Sequence, residues 1–202
     1  MSVSAESEAV LEFWLGPLDA DGMASEERRA AWWRKSPAFD EECRRRFAPL
    51  HASILGGERE GWLDQARSCL AYVVVLDQLG RNMFRDAGEM FAGDARALAA
   101  AERGIREHDA ALAFHERYFL YMPFMHAEDR DTQARCEALF ERHVERASNA
   151  RQREAAQQAL RFARKHRVIV ERFGRFPHRN ALLSRESSAE ELEFLKQPGS
   201  SF

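Results

Sequence analysis

The segment Arg172-Phe173-Gly174-Arg175-Phe176-Pro177-His178-Arg179-Asn180 concentrates three arginines, a histidine and an asparagine among aromatic residues. Gly174 tolerates a left-handed backbone and Pro177 lacks an N–H, so a structured turn is expected here rather than a continuing helix. Such a turn can aim guanidinium forks and an imidazole at one point. Arginine forks suit carboxylate or phosphate groups. Histidine is the side chain whose ordinary pKa lets it move protons near neutral pH.

Two other stretches carry comparable chemistry. In Asp77-Gln78-Leu79-Gly80-Arg81-Asn82, Asp77 follows Val73 by four residues and Leu70 by seven, so it continues an apolar helix face. A buried carboxylate needs a partner, and Arg81 at i+4 is the nearest candidate. In Tyr121-Met122-Pro123-Phe124-Met125-His126-Ala127-Glu128-Asp129, His126 and Glu128 follow a proline and are expected in a loop or at a helix start. His166 shares a helical stripe with Phe162, Ile169, Val170 and Phe173, so it points inward. Each residue also has a structural reading: an Asp–Arg pair closing a helix end, a capping carboxylate, a hydrogen-bonded core histidine. If the stretches converge, they form a polar cavity with acid, base and anion-binding groups. His126 or His178 is then the acid or base, oriented by Asp77 or Glu128. Gln78, Arg81, Asn82, His166, Arg175, Arg179 and Asn180 complete the ligand-binding set.

The elements that must position these groups are helices. Ser4, Ser25, Ser36-Pro37, Asp94, Asp109, Asn149 and the capping box Ser188-Ala189-Glu190-Glu191 supply helix starts. Gly16-Pro17, Pro49, Gly56-Gly57 and Pro123 supply kinks or stops. A helix over about 63–79 is apolar nearly all round and should sit centrally. Its Val73-Val74-Val75 would suit a strand, but no second strand candidate exists to pair with it. Others are expected near 94–107, 109–122, 129–147 and 149–173. The expectation is one all-α domain over 1–202, with eight or nine helices stacked as antiparallel pairs and residues 197–202 frayed.

Composition sets further bounds. Hydrophobic residues make up 45% of 202 positions, enough for a substantial core, and 11 Gly with six Pro are too few for a turn-rich β sandwich. Between Arg161 and Arg185 eight basic side chains face one acid, Glu171. That surplus of +7 in a chain of net charge -3 leaves -10 elsewhere. The block either binds an anion or pairs with the chain's own carboxylates, and the second outcome is favoured. No base-reading motif supports a nucleic-acid partner. The longest apolar run, Cys69 to Leu76, is eight residues, against ~20 for a membrane span. Cys43, Cys69 and Cys136 have no CxxC spacing, and the start of the chain carries Glu6, Glu8 and Glu12 rather than a cationic leader. A cytoplasmic protein without membrane, nucleic-acid, metal or cofactor partner is expected.

Val10-Leu11-Glu12-Phe13-Trp14-Leu15-Gly16, the Asp77–Asn82 and Tyr121–Glu128 stretches, His166, Arg172–Asn180 and Ser187–Leu195 together give the chain a family resemblance. In this order, and over nearly its whole length, it resembles the bacterial domain-of-unknown-function family 924. The resemblance implies a tetratricopeptide-like all-α fold and no established activity. The chain departs from the family pattern at Gly80, where a proline is usual, which is expected to loosen the turn after Asp77.

Three functions fit these residues. The first is an enzyme or binder of a small anionic molecule, held by Arg81, Arg175 and Arg179. The second is a peptide- or protein-binding scaffold whose basic block takes an acidic peptide. The third, a metal-dependent hydrolase using His126, Glu128, His166, His178 and Asp77, lacks recognised ligand spacing such as HExxH. GxSxG, GxGxxG and P-loop signatures are missing.

Overall fold

Five side-chain caps close as hydrogen bonds, four of them at the expected helix starts and the fifth at Asp129. Ser25 Oγ accepts from the Arg28 N–H, Ser36 Oγ from Phe39, Asp129 Oδ1 from Thr132, Asn149 Oδ1 from Gln152 and Ser188 Oγ from Glu191. Each satisfies a donor that the first helical turn leaves without a partner. A computed structural model describes residues 5–201; the Ser4 cap lies outside them. The helices are α1 (Ala5–Leu15), α2 (Glu26–Trp32), α3 (Pro37–Leu55), α4 (Ala66–Val74), α5 (Gly80–Met83), α6 (Asp94–Glu107), α7 (Phe114–His126), α8 (Arg130–Glu145), α9 (Ala150–Phe173) and α10 (Ala189–Phe194). Short 3-10 turns span Glu60–Asp64, Gly88–Phe91, Asp109–Ala111 and Pro177–Arg179. No strand occurs among the described residues; one isolated bridge joins Leu18 and Ala24.

The apolar run builds the centre as its pattern requires. Cys69 to Val74 are buried, and α4 packs against α1, α6 and α7. The main core gathers Val10, Trp14, Leu70, Phe119, Phe140 and Ala163, so it draws on helices from both ends of the chain. The helices α8 and α9, joined by a short link, pack along one another. The helices are unequal, from four residues in α5 to 24 in α9.

Several boundaries differ from those expected. Pro49 does not end α3, because buried Phe47, Leu50, His51 and Ile54 hold both sides of it in the core. Pro123 does not end α7 for the same reason, as it lies within a buried run from Phe119 to Met125. His126 therefore sits in the last turn of a helix, not in a loop. Asp109 caps no long helix; its carboxylate accepts from the Tyr121 hydroxyl and from Arg146, and α7 begins only at Phe114. Gly80 does not loosen the chain, since it is helical (φ -54°, ψ -45°) and its N–H bonds to the Val75 carbonyl. The bond from Gly80 to Val75 marks a π turn over Val75–Leu79 that joins α4 to α5. Such turns insert one residue into a helix and re-aim its side chains.

Two glycines let the chain run where a side chain would block it. A Cβ at Gly93 would lie 2.8 Å from the Leu76 carbonyl oxygen, so its absence lets the start of α6 approach the π turn. Gly174, at φ 72°, ends α9 with its N–H on the Val170 carbonyl. The chain then turns back, with Phe176 packed beside Ile169 and Val170.

Candidate functional site

The π turn places Asp77 fully inside the protein, facing the end of α7. His126 Nδ1 lies 2.6 Å from Asp77 Oδ1, and Gln78 Nε2 donates to Asp77 Oδ2. Arg81, one turn on, donates from Nη2 to Asp77 Oδ1 at 3.2 Å and to Asp94 Oδ1 at 2.9 Å. Burial raises the Asp77 pKa, but His126, Arg81 and the hydrogen bonds outweigh it and hold the carboxyl at about 2. Arg81 Nε also lies 3.3 Å from His126 Nδ1. Nδ1 cannot both donate to Asp77 and accept from Arg81. The shorter contact, to a carboxylate, fixes the proton on Nδ1. Arg81 then acts on the ring as a neighbouring charge. Burial first and Arg81 second lower the His126 pKa, which favours a neutral ring at neutral pH. Among the described hydrogen bonds none engages Nε2 of this ring.

Arg179 approaches the same point from the C-terminal segment. Its guanidinium lies 4.6 Å from the ring centres of both Phe91 and Phe176. It donates to Asp94 Oδ2 at 3.2 Å and to the His126 carbonyl at 3.0 Å. The second bond satisfies a carbonyl that the end of α7 would otherwise leave open. Burial and then Arg81 push the Arg179 pKa down to about 10. His166 and His178 complete the surroundings. The ring centre of His166 is 6.3 Å from that of His126 and 5.5 Å from that of Phe176. His166 Nδ1 donates to the Phe162 carbonyl, as a core histidine does. Burial pushes His166 down to about 3, and burial followed by Arg179 pushes His178 down to about 4.

The other expected site residues serve different purposes. Glu128 is a clasp: Oε1 accepts from the Phe176 N–H at 2.7 Å and Arg185 grips both oxygens. Asn180 joins that clasp, accepting from Arg185 Nε and donating to Ser187 Oγ. Glu128 is therefore not placed to orient His126; Asp77 does so. Arg175, expected to offer a free fork, has it filled by the Glu191 carboxylate at 2.7 and 2.8 Å. Asn82 turns to α3, where Arg85 links it to Asp40. The carboxylates of Asp94, Glu128, Glu137, Glu141, Glu171, Glu190 and Glu191 pair with Arg164, Arg167, Arg172, Arg175, Arg179 and Arg185. Most of the basic block is thus spent within the chain.

Three participants are not marked by the sequence pattern. Asp94 has the position of a cap, yet α6 is capped at Gly93 without a side-chain bond and Asp94 faces the two arginines. Phe91 and Arg185 stand out by no spacing. Two surface recesses, one lined by Phe124 and Arg142 and the other by Asp19 and Gln152, include none of the expected site residues. The cluster is packed under the Phe176–Arg185 strap. Among the described residues no three His, Cys, Asp or Glu side chains converge as a metal set, and no helix is long and apolar enough to cross a membrane.

The sequence matches, over residues 10–199, the family described as bacterial protein of unknown function (DUF924). The solved structure of a protein of unknown function from Agrobacterium tumefaciens is similar at 35% identity and a TM-score of 0.77. The match covers 96% of this chain and 99% of that one. No curated protein matches.

Proposed function

Because the chain belongs to DUF924, a family of bacterial proteins of unknown function, its chemistry must come from its own residues, and we propose an acid–base site for a small anionic molecule centred on His126. The observation that carries this reading is the Asp77–His126 pair. A fully buried carboxylate accepts a hydrogen bond from the Nδ1–H and sets the tautomer, so Nε2 is the nitrogen left to accept a proton. Arg81 and Arg179 stand on the same side and supply the charge for the ligand's anionic group. A site that needs its base unprotonated near pH 7 gains from the lowered His126 pKa. The C-terminal strap carrying His178 and Arg179 packs against the cluster, which leaves Asp94, Arg81 and His126 only 22%, 16% and 12% exposed.

The test is a thermal-shift screen of small carboxylates and phosphates against the wild type, His126→Ala and Arg81→Gln. A ligand at 100 times its Kd stabilises by about 2.7 kcal/mol, a rise of about 5–10 °C in Tm for a chain of this size. At least one ligand is expected to stabilise the wild type, with the shift lost in Arg81→Gln and any turnover lost in His126→Ala. Ligands that shift all three proteins equally would place binding elsewhere and overturn the reading.

A further inference from the structure

The two cationic forks at the site are joined by a single carboxylate. Asp94 Oδ1 meets Arg81 at 2.9 Å and Asp94 Oδ2 meets Arg179 at 3.2 Å, one oxygen to each guanidinium. Both guanidiniums lie against the Phe91 ring, at 5.7 and 4.6 Å. Side-chain exposure falls inward from Asp94 at 22% through Arg81 at 16% to Arg179 at 7%. Asp94 is thus the outermost of the three and the one a solute meets first. It does not cap its own helix, so its carboxylate is not committed there.

We infer that Asp94 occupies the seat of the ligand's carboxylate, and that the site takes small monocarboxylates by exchanging one carboxylate for another. This rests on the reading of Arg81 and Arg179 as the anion-holding pair but not on any proton transfer by His126. Charge supports the ligand class. Arg81 and Arg179 carry two positive charges, Asp77 cancels one, and Glu128 is matched by Arg185. One negative charge remains to be filled, which a monocarboxylate supplies in place of Asp94. A phosphate of about -1.5 to -2 at pH 7 overfills it. Geometry agrees, since two oxygens on one planar group reach two forks. The displaced Asp94 side chain has water on its outer side.

The full-length Asp94→Asn variant tests this without knowledge of the natural ligand. It leaves Arg179 buried and short of charge, so Tm should fall by at least about 5 °C. Formate or acetate at tens of millimolar should restore most of the loss while shifting the wild type much less. Phosphate and chloride at matched ionic strength should restore little. Equal recovery with every salt would mean screening rather than a seat and would overturn the inference. Recovery by phosphate alone would reject the monocarboxylate class. Should Asp94→Asn fail to fold, the Nε–Hε NMR signals of Arg81 and Arg179 in the wild type are to be followed during acetate titration. Saturable movement of both supports the exchange and no movement refutes it. Adding His126→Ala separates the two readings: restoration that survives it, with no turnover in either protein, keeps the carboxylate seat and removes the acid–base role.

Discussion

His126 Nδ1 stands 2.6 Å from Asp77 Oδ1, although 49 residues separate them. The π turn aims one partner and the Pro123-containing end of α7 presents the other. This contact makes Asp77 an ionised group inside the protein and His126 a ring with one defined tautomer.

Removing Asp77 should be costly. Asp77→Ala leaves Arg81 with Asp94 as its one carboxylate partner and the His126 N–H with no acceptor, a change of the kind that costs about 3–5 kcal/mol. Asp77→Asn keeps the volume and an acceptor oxygen and should cost less. Urea unfolding of both variants checks the order; equal stabilities would deny the carboxylate its role.

Stability should fall with acid in two stages. His115 and His178 are pushed down to about 4, and His143 and His166 to about 3, in each case chiefly by burial. A histidine with a lowered folded pKa binds its proton more readily when unfolded. Its contribution is complete above about pH 6.5 and is lost as pH falls toward the folded value. Buried His115, His143 and His166 each remove about 1.4 kcal/mol per pH unit in that window. Asp77 and Glu191, held at about 2, contribute fully above the ordinary carboxylate range and lose that contribution only below about pH 4. Tm measured from pH 8 to 3 should therefore decline from about 6.5 and steepen below 4. His143→Phe, which removes a buried ring with no hydrogen bond at either nitrogen, should flatten the first stage.

Arg175→Ala should weaken the C-terminal end and spare the site. Its partner Glu191 is buried and also closes the capping box of α10. A loss of about 1–3 kcal/mol is expected. Hydrogen exchange should quicken around α10, with the Asp77–His126 region unchanged.

Glu128→Ala should release the strap. It removes the acceptor for the Phe176 N–H and both contacts to Arg185. Amides of residues 176–185 should exchange faster while those of α4 keep their protection. Unchanged exchange in the strap would show that apolar packing of Phe176 alone holds it.

The helical body is legible in the sequence because its signals are local. Capping residues and the 3.6-residue stripes act within one helix, so Asn149 and Gly174 bound α9 as their chemistry requires. The inward direction of Asp77 and His166 comes from the same periodicity. Pro49 and Pro123 mislead because tertiary packing outweighs the loss of one helical hydrogen bond. The partner choices are not legible. Arg175 and Arg179 lie four residues apart in one motif, yet one meets Glu191 and the other Asp94. Which carboxylate each fork finds depends on where the strap lands. Asp94 is hidden because an aspartate at a helix start has an ordinary explanation.

The most direct test of the central claim is the tautomer of His126, read by long-range proton–nitrogen NMR on labelled protein at pH 7. A neutral ring with its proton on Nδ1 and a bare Nε2 is expected. A proton on Nε2, or a charged imidazolium at that pH, would contradict it.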